Sequence, residues 1–384
     1  MKFIHLGDLH IGRTFDMRPM LEDQQHVLKQ VLDLAAARKP DCIIIAGDIY
    51  DRSVPREEAV ALYDEFITEL VLGLGIPVYA ISGNHDSSKR LEGMGSLLKK
   101  AGYHISGTLK KPLETHVMMD DSGPVTVYFM PYKDMNSARA LYDLRDEKNH
   151  TEIMRRILEP ALQDPTRKIL IAHNFFSMMG EALEESESER RVSIGGTDVI
   201  DSSIFQPFQY VALGHLHKAQ KVGRDSVRYS GSLLKYSTSE VDHRKVITWV
   251  EMDGQGNTEI ELIPLQLLRD LKKVRGSMAE LMQLDHLEKK DDFLSIILTD
   301  EERIDQAFSI LSRLYPNIVS LEYESIQADY VLNVDQEAIR KADFRVLFED
   351  FFKDKNGREM KDQELDFMED IFQKMEVDHD TDQA

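Results

Sequence analysis

Five short apolar runs, each stopping on a cluster of metal-competent polar residues, constrain this chain more than any other feature. Phe3-Ile4-His5-Leu6 leads into Gly7-Asp8-Leu9-His10, Cys42 to Ala46 into Gly47-Asp48, and Val78 to Ile81 into Ser82-Gly83-Asn84-His85-Asp86. Ile169 to Ala172 leads into His173-Asn174, and Tyr210 to Leu213 into Gly214-His215-Leu216-His217. Runs this short, rich in β-branched residues and followed by Gly or Asn, read as buried strands ending in loops. The polar groups then converge at strand ends.

The stretches Met20 to Arg38 and Pro55 to Gly73 place apolar residues at helical spacing, Val27, Val31, Leu34 and Ala35 in the first and Val60, Leu62, Tyr63, Phe66 and Leu70 in the second. Strand and helix in alternation imply parallel pairing. Val125 to Met130, Arg228 to Ser232 and Val246 to Met252 have few helical stretches between them and read as antiparallel strands and hairpins. Both halves fit an α/β fold, a two-sheet sandwich flanked by helices.

Beyond Pro264 the pattern changes. Phe293 to Leu298 reads as a strand, Glu301 to Leu314 as a helix and Ile318 to Tyr323 as a second strand, a small βαβ unit. Two apolar stripes follow, Phe344, Leu347, Phe348, Phe351 and Phe352, then Leu365, Met368, Phe372 and Met375. They suit either packing on the protein's own body or docking onto a partner helix. We therefore divide the chain into 1–265, 266–335 and a helical tail at 336–384. The charge run within Glu181 to Gly196 reads as an exposed, solvated loop.

The lone cysteine, Cys42, lies inside an apolar run, so a disulfide framework is excluded. The first residues carry no export signal and no run reaches membrane-spanning length, which places the expected location in the cytoplasm. A formal net charge of -21 argues against gripping nucleic acid by charge alone. A nucleic-acid substrate would need bound metal ions, basic patches such as Lys99-Lys100 and Lys110-Lys111, or a more basic partner.

Asp8 and His10 stand two apart, so on extended chain both point to one side and reach one ion together. Asp48 supplies a second carboxylate able to bridge two ions, Asn84 a neutral oxygen, and His173, His215 and His217 imidazoles. Oxygen and nitrogen donors without a thiolate favour manganese or another first-row ion over structural zinc. Two ions about 3.5 to 4 Å apart activate a shared water and clamp a phosphoryl group, which points to phosphate-ester hydrolysis. His85, next to Asn84, points away from the ligands toward substrate, where it can protonate the leaving oxygen or stabilise charge on the phosphate. Asp51 is the expected orienting partner of that imidazole. The remaining histidines, including His5, His104, His116 and His243, lack this setting and read as structural.

Asp-x-His, Gly-Asp, Gly-Asn-His-Asp, a solitary His and Gly-His-x-His, in that order, resemble the calcineurin-like metallophosphoesterase superfamily over about residues 1 to 260. Within it, Gly47-Asp48-Ile49-Tyr50-Asp51, Ser186 to Arg190 followed by Gly195-Gly196, and Tyr229-Ser230-Gly231-Ser232 are similar to the SbcD nucleases. The resemblance implies a four-layer sandwich with a DNA-capping α+β domain, and a tail docked onto SbcC, an SMC-like ATPase. It implies exonuclease and endonuclease activity on DNA with two Mn2+ ions, in a homodimer of nuclease subunits within a heterotetramer. Carried over by position, the metal ligands are Asp8, His10, Asp48, Asn84, His173, His215 and His217, and the catalytic histidine is His85. Arg52 departs from that pattern and is closer to protein phosphatases, which keeps a stand-alone metallophosphatase or cyclic-nucleotide phosphodiesterase as the rival.

Overall fold

The computed structural model describes residues 1–15, 18–93, 95–178, 183–189, 199–283 and 291–324, with isolated positions beyond them. The first half runs β1 (Lys2–Leu6), α1 (Leu21–Arg38), β2 (Cys42–Ala46), α2 (Glu57–Thr68), β3 (Val78–Ile81) and β4 (Tyr103–Ser106). There follow β5 (Glu114–Asp120), β6 (Gly123–Met130), α3 (His150–Leu162), β7 (Arg167–His173) and β8 (Tyr210–Gly214). Then come β9 (Gln220–Val222), β10 (Arg224–Tyr229), β11 (Val246–Met252) and β12 (Thr258–Pro264).

Two six-stranded sheets result, in the orders β12-β11-β1-β2-β3-β4 and β9-β10-β8-β7-β6-β5. Their facing sides share one apolar layer, in which Phe3, Ile44 and Ile81 of the first sheet meet Val127, Ile169 and Ala212 of the second. The outer face of the first sheet packs Ile4, Ile43 and Ile45 against Val27, Val31, Leu62 and Phe66 of α1 and α2. The outer face of the second packs Leu170, Val211 and Leu213 against Ile153, Ile157 and Leu158 of α3. Central strands are covered on both sides, which is why β2 is apolar at every position instead of alternating. Each such Ile or Phe removed from water contributes about 1.5–3 kcal/mol.

α1 buries Val27, Leu28, Val31 and Ala35, with Leu34 only partly covered. It ends where Lys39 turns left-handed and donates its N–H to the Ala35 carbonyl, and Pro40 prevents continuation. The helix expected through Gly73 changes at Glu69 into a π-helical turn, Glu69–Gly73.

One expectation is corrected in the second sheet. β6, β7, β8 and β10 are mutually parallel, and antiparallel pairing is confined to β5 with β6 and β9 with β10 in that sheet, and to β11 with β1 and β12 in the other. α3 supplies the crossover that parallel β6 and β7 require, and its Ile153, Met154, Ile157, Leu158 and Ala161 stripe is the sequence signal for it.

The third sheet is parallel throughout, β13 (Leu271–Gly276), β14 (Phe293–Leu298) and β15 (Ile318–Tyr323). β13 was not foreseen, and the helix between β14 and β15 is only Ala307–Leu311. This sheet belongs to the same compact unit as the sandwich, Met1–Tyr323. Arg18 donates to the carbonyls of Ile318 and Pro316 at 2.8 and 2.9 Å, and Phe15 lies edge-on to Phe293. Phe344, Leu347, Phe348, Phe351, Phe372 and Met375 of the expected tail stripes lie outside the described residues, as do Arg190 and Gly195-Gly196. No helix among the described residues is long and apolar enough to cross a membrane.

Candidate metal centre

The expected ligands sit at or just past the ends of β1, β2, β3, β7 and β8, where two sheets bring five loops to one edge. Asp8, His10 and Asp48 have φ of 51°, 45° and 48°. These are left-handed values that cost a non-glycine residue of order 1–3 kcal/mol each. Asp8 and His10 therefore meet because the chain kinks at both, not because it stays extended as expected from the sequence. The loops also close tightly: a Cβ on Gly83 would run into the Asp48 carboxylate, and one on Gly214 into the Ala46 carbonyl.

The seven expected ligands converge. His10 and His217 face each other through their Nε2 atoms at 3.1 Å. Asn84 Oδ1 lies 2.9 Å from His173 Nε2 and 3.2 Å from His215 Nδ1. Asp48 Oδ2 lies 3.5 Å from His173 Nε2 and 3.7 Å from His10 Nε2. Asp8, His10 and His217 form one cluster of donor atoms and Asp8, Asp48 and His173 another, each within 4.8 Å, so the two clusters share a carboxylate.

These residues fit divalent cations. His173 donates Nδ1–H to the Ala46 carbonyl at 2.8 Å, which turns Nε2 into the cluster, and against burial Asp48 and Asp8 raise this imidazole to about 9, a positive charge that a bound cation would replace. Two facing Nε2 atoms on His10 and His217 can share a proton or a cation. Burial first, then its neighbours, pulls the His10 imidazole well down despite Asp48, and burial holds His215 at about 3, so both stay neutral donors. Burial, eased by His173 and reinforced by Asp48, pushes the Asp8 carboxyl well up. Burial opposes charge on Asp48 as well, but His173, by its charge and its hydrogen bond, outweighs it and holds that carboxyl low. A cation relieves the conflict between two carboxylates in one dry site. No thiolate takes part; Cys42 lies buried in the layer between the sheets.

His85 stands beside the cluster. Its backbone N–H donates to Asp48 Oδ1 at 2.8 Å, and its Nε2 lies 4.0 Å from Asp48 Oδ2. The expected role of Asp51 is corrected in its chemistry. His85 Nδ1 donates to the main-chain carbonyl of Asp51 at 2.9 Å, while the Asp51 carboxylate is taken by Arg13 at 2.9 Å. Arg52 is exposed, with its Nε 3.4 Å from Asp51.

Several contributors escaped the sequence reading. Asp86 accepts from the N–H groups of Gly83, Tyr50 and Ile49 at 2.9, 3.0 and 3.1 Å, tying the second and third loops together. Its place inside Gly-Asn-His-Asp was the available signal. Tyr236 donates to the Leu9 carbonyl at 2.6 Å and sets its ring 5.5 Å from that of His10. Glu240 and Lys245 lie behind His217, within a polar stretch that carries no pattern. The charge run at 183–189 is not simply solvated: Ser186 is buried, and Ser188 and Glu189 turn inward onto His217.

Residues 1–219 match the family described as calcineurin-like phosphoesterase, and residues 267–356 match the one described as Type 5 capsule protein repressor C-terminal domain. The chain is similar to the SbcD subunit of the SbcCD nuclease of Staphylococcus saprophyticus, at 30% identity with 94% of each chain covered. It is equally similar to the same nuclease subunit of Staphylococcus epidermidis, at 30% identity with 95% of each covered. Among solved structures, a dimetal phosphatase from Danio rerio aligns at 11% identity and a TM-score of 0.40, over 70% of this chain and 98% of that one. With the first 219 residues matching one family and full-length relatives at 30% identity, this chain belongs to the calcineurin-like phosphoesterases, in the group of SbcD subunits of SbcCD nucleases.

Proposed function

We propose that this chain hydrolyses DNA phosphodiesters with two Mn2+ ions, as double-strand 3'-5' exonuclease and as endonuclease on single strands and hairpins, within a complex with an SbcC-type ATPase. The observation that carries this reading is the pair of donor clusters sharing Asp8, with His85 held beside them. Asp8, His10 and His217 would hold one ion and Asp8, Asp48 and His173 the other, with Asp48 also within reach of His10 and with Asn84 and His215 completing the second set. Such a pair supplies an activated water and a clamp on the phosphoryl oxygens.

The chain's own residues do the rest. His85 has Nδ1 committed to the Asp51 carbonyl, so Nε2 is the atom that meets substrate and hands a proton to the leaving oxygen or bonds the phosphate. The left-handed kinks at Asp8, His10 and Asp48 hold the ligands in place before anything binds, which lowers the cost of ordering them. The net charge of -21 is answered by the partner: the ATPase shares the grip on DNA, and the tail at 336–384 docks onto it. Residues 266–335 form the DNA cap, 1–265 the catalytic body, and two nuclease subunits pair within the assembly, in the cytoplasm where the DNA lies.

Purified protein with Mn2+ is tested on a DNA hairpin and on a small phosphomonoester. Cleavage of the hairpin is the expected result. Turnover of the phosphomonoester alone would replace this reading with a stand-alone phosphatase.

A further inference from the structure

Every polar atom of His217 but one is already committed. Its N–H donates to Glu189 Oε1 at 2.6 Å. Its carbonyl accepts from the Ser232 N–H at 3.1 Å and from Lys245 Nζ at 3.0 Å. Its Nδ1–H is shared between Glu240 Oε1 at 3.0 Å and Ser188 Oγ at 2.8 Å. Only Nε2 remains, and it points at His10 Nε2.

Glu240 is fully buried, and its second oxygen receives Lys245 Nζ at 2.6 Å, itself almost wholly buried. A buried ion pair is a weak stabiliser, because desolvation offsets most of the attraction. This one is placed where its carboxylate fixes an imidazole. A carboxylate on the far nitrogen of a ligand histidine sets the ring's tautomer and direction and raises its basicity. Ser188 joins the same oxygen of Glu240 at 2.6 Å, so the 183–189 segment is seated on the arrangement that aims His217.

We propose that Glu240, backed by Lys245 and joined by Ser188, is the positioning residue that turns His217 Nε2 onto one of the two metal ions, and that the 183–189 segment is coupled to occupancy of that ion alone. This deepens the functional reading above and rests on it. His173 draws its own orientation from the Ala46 carbonyl, so the second ion is independent of Glu240.

The test measures Mn2+ binding to the full chain by electron paramagnetic resonance titration, for the parent, Glu240→Gln, the double variant Glu240→Gln with Lys245→Met, and Ser188→Ala. The double variant removes both buried charges together and so keeps the fold if the lone charge of Lys245 does not. One of the two ions is expected to bind roughly 10- to 100-fold more weakly in the Glu240 variants, with the other unchanged. Ser188→Ala is expected to weaken the same ion by roughly three- to tenfold. In the parent, selectively 15N-labelled histidine should show His217 as the Nδ1–H tautomer, a signature that needs no variant. Two ions bound as tightly in the Glu240 variants as in the parent, both ions weakened alike, or His217 found as the Nε2–H tautomer would overturn the proposal. A parent that takes up no Mn2+ at all would overturn the functional reading itself and this inference with it.

Discussion

His10 and His217, separated by 207 residues of chain, bring their Nε2 atoms to 3.1 Å of each other on the floor of the cluster. Two bare imidazole nitrogens at that distance repel unless something positive lies between them. A divalent ion bound there stabilises the folded chain by mass action. With free Mn2+ at about 100 times its Kd, the folded state gains about 2.7 kcal/mol per site. Thermal denaturation should show the midpoint rising with Mn2+ and falling back with a chelator, and His217→Ala should blunt the rise. A midpoint indifferent to the metal would refute the pairing.

His85 is held by the Asp51 carbonyl and supplies no expected ligand atom. His85→Ala should therefore leave Mn2+ affinity within about twofold of the parent while cutting DNA hydrolysis by roughly 100-fold or more. Loss of metal together with activity would make His85 a ligand instead. Asp51→Asn tests the companion point: it keeps the main-chain carbonyl, so it should reduce activity far less than His85→Ala.

Asp86 gathers three N–H groups from two loops with a half-buried side chain. Asp86→Ala strands all three, and we expect a loss of about 3 kcal/mol in urea unfolding, together with weaker metal uptake. Burial and then Asp48 raise this carboxyl to about 6, so it is ionised, and the strongest acceptor for all three groups, above that pH. Stability unchanged within about 0.5 kcal/mol would place Asp86 outside the loop architecture.

His104 on β4 stacks on Tyr79 and lies 4.1 Å, centroid to centroid, from His116 on β5. Burial first, then His116 and Lys99, pulls its imidazole from 6.5 to about 4, against Glu114. The folded protein thus takes up this proton later than the unfolded chain does. Its contribution is fully present above pH 6.5 and is lost as the pH falls through about 4. A shift of this size on a shielded group is worth about 3 kcal/mol, and solvent screening of a half-exposed ring reduces it to roughly 1 kcal/mol. Urea unfolding at pH 7 and at pH 4 should show His104→Gln losing about that much less stability than the parent.

The strand-end pattern makes the placement of the site legible in the sequence. Apolar runs covered on both faces mark central strands, and a ligand just past each run has nowhere to go but the shared edge, so Asp8, Asp48, Asn84, His173 and His215 could be placed by chain position. What supports them was not legible. Glu240 and Lys245 lie in an ordinary polar stretch, and only folding brings them behind His217. Asp51 shows the same limit in small: its proximity to His85 was foreseeable, but whether carbonyl or carboxylate made the contact depended on Arg13, 38 residues earlier in the chain. The parallel order of the second sheet was not legible because the apolar stripe of its crossover helix α3 went unrecognised, and β13 because Lys272, Lys273 and Arg275 leave its six residues with little apolar pattern.

The most direct measurement is anomalous diffraction at the manganese absorption edge from crystals grown with Mn2+. Two peaks about 3.5 to 4 Å apart are expected, one against His10 and His217 and the other against Asn84 and His173, with Asp8 or Asp48 touching both. A single peak elsewhere on the surface, or none, would contradict the account.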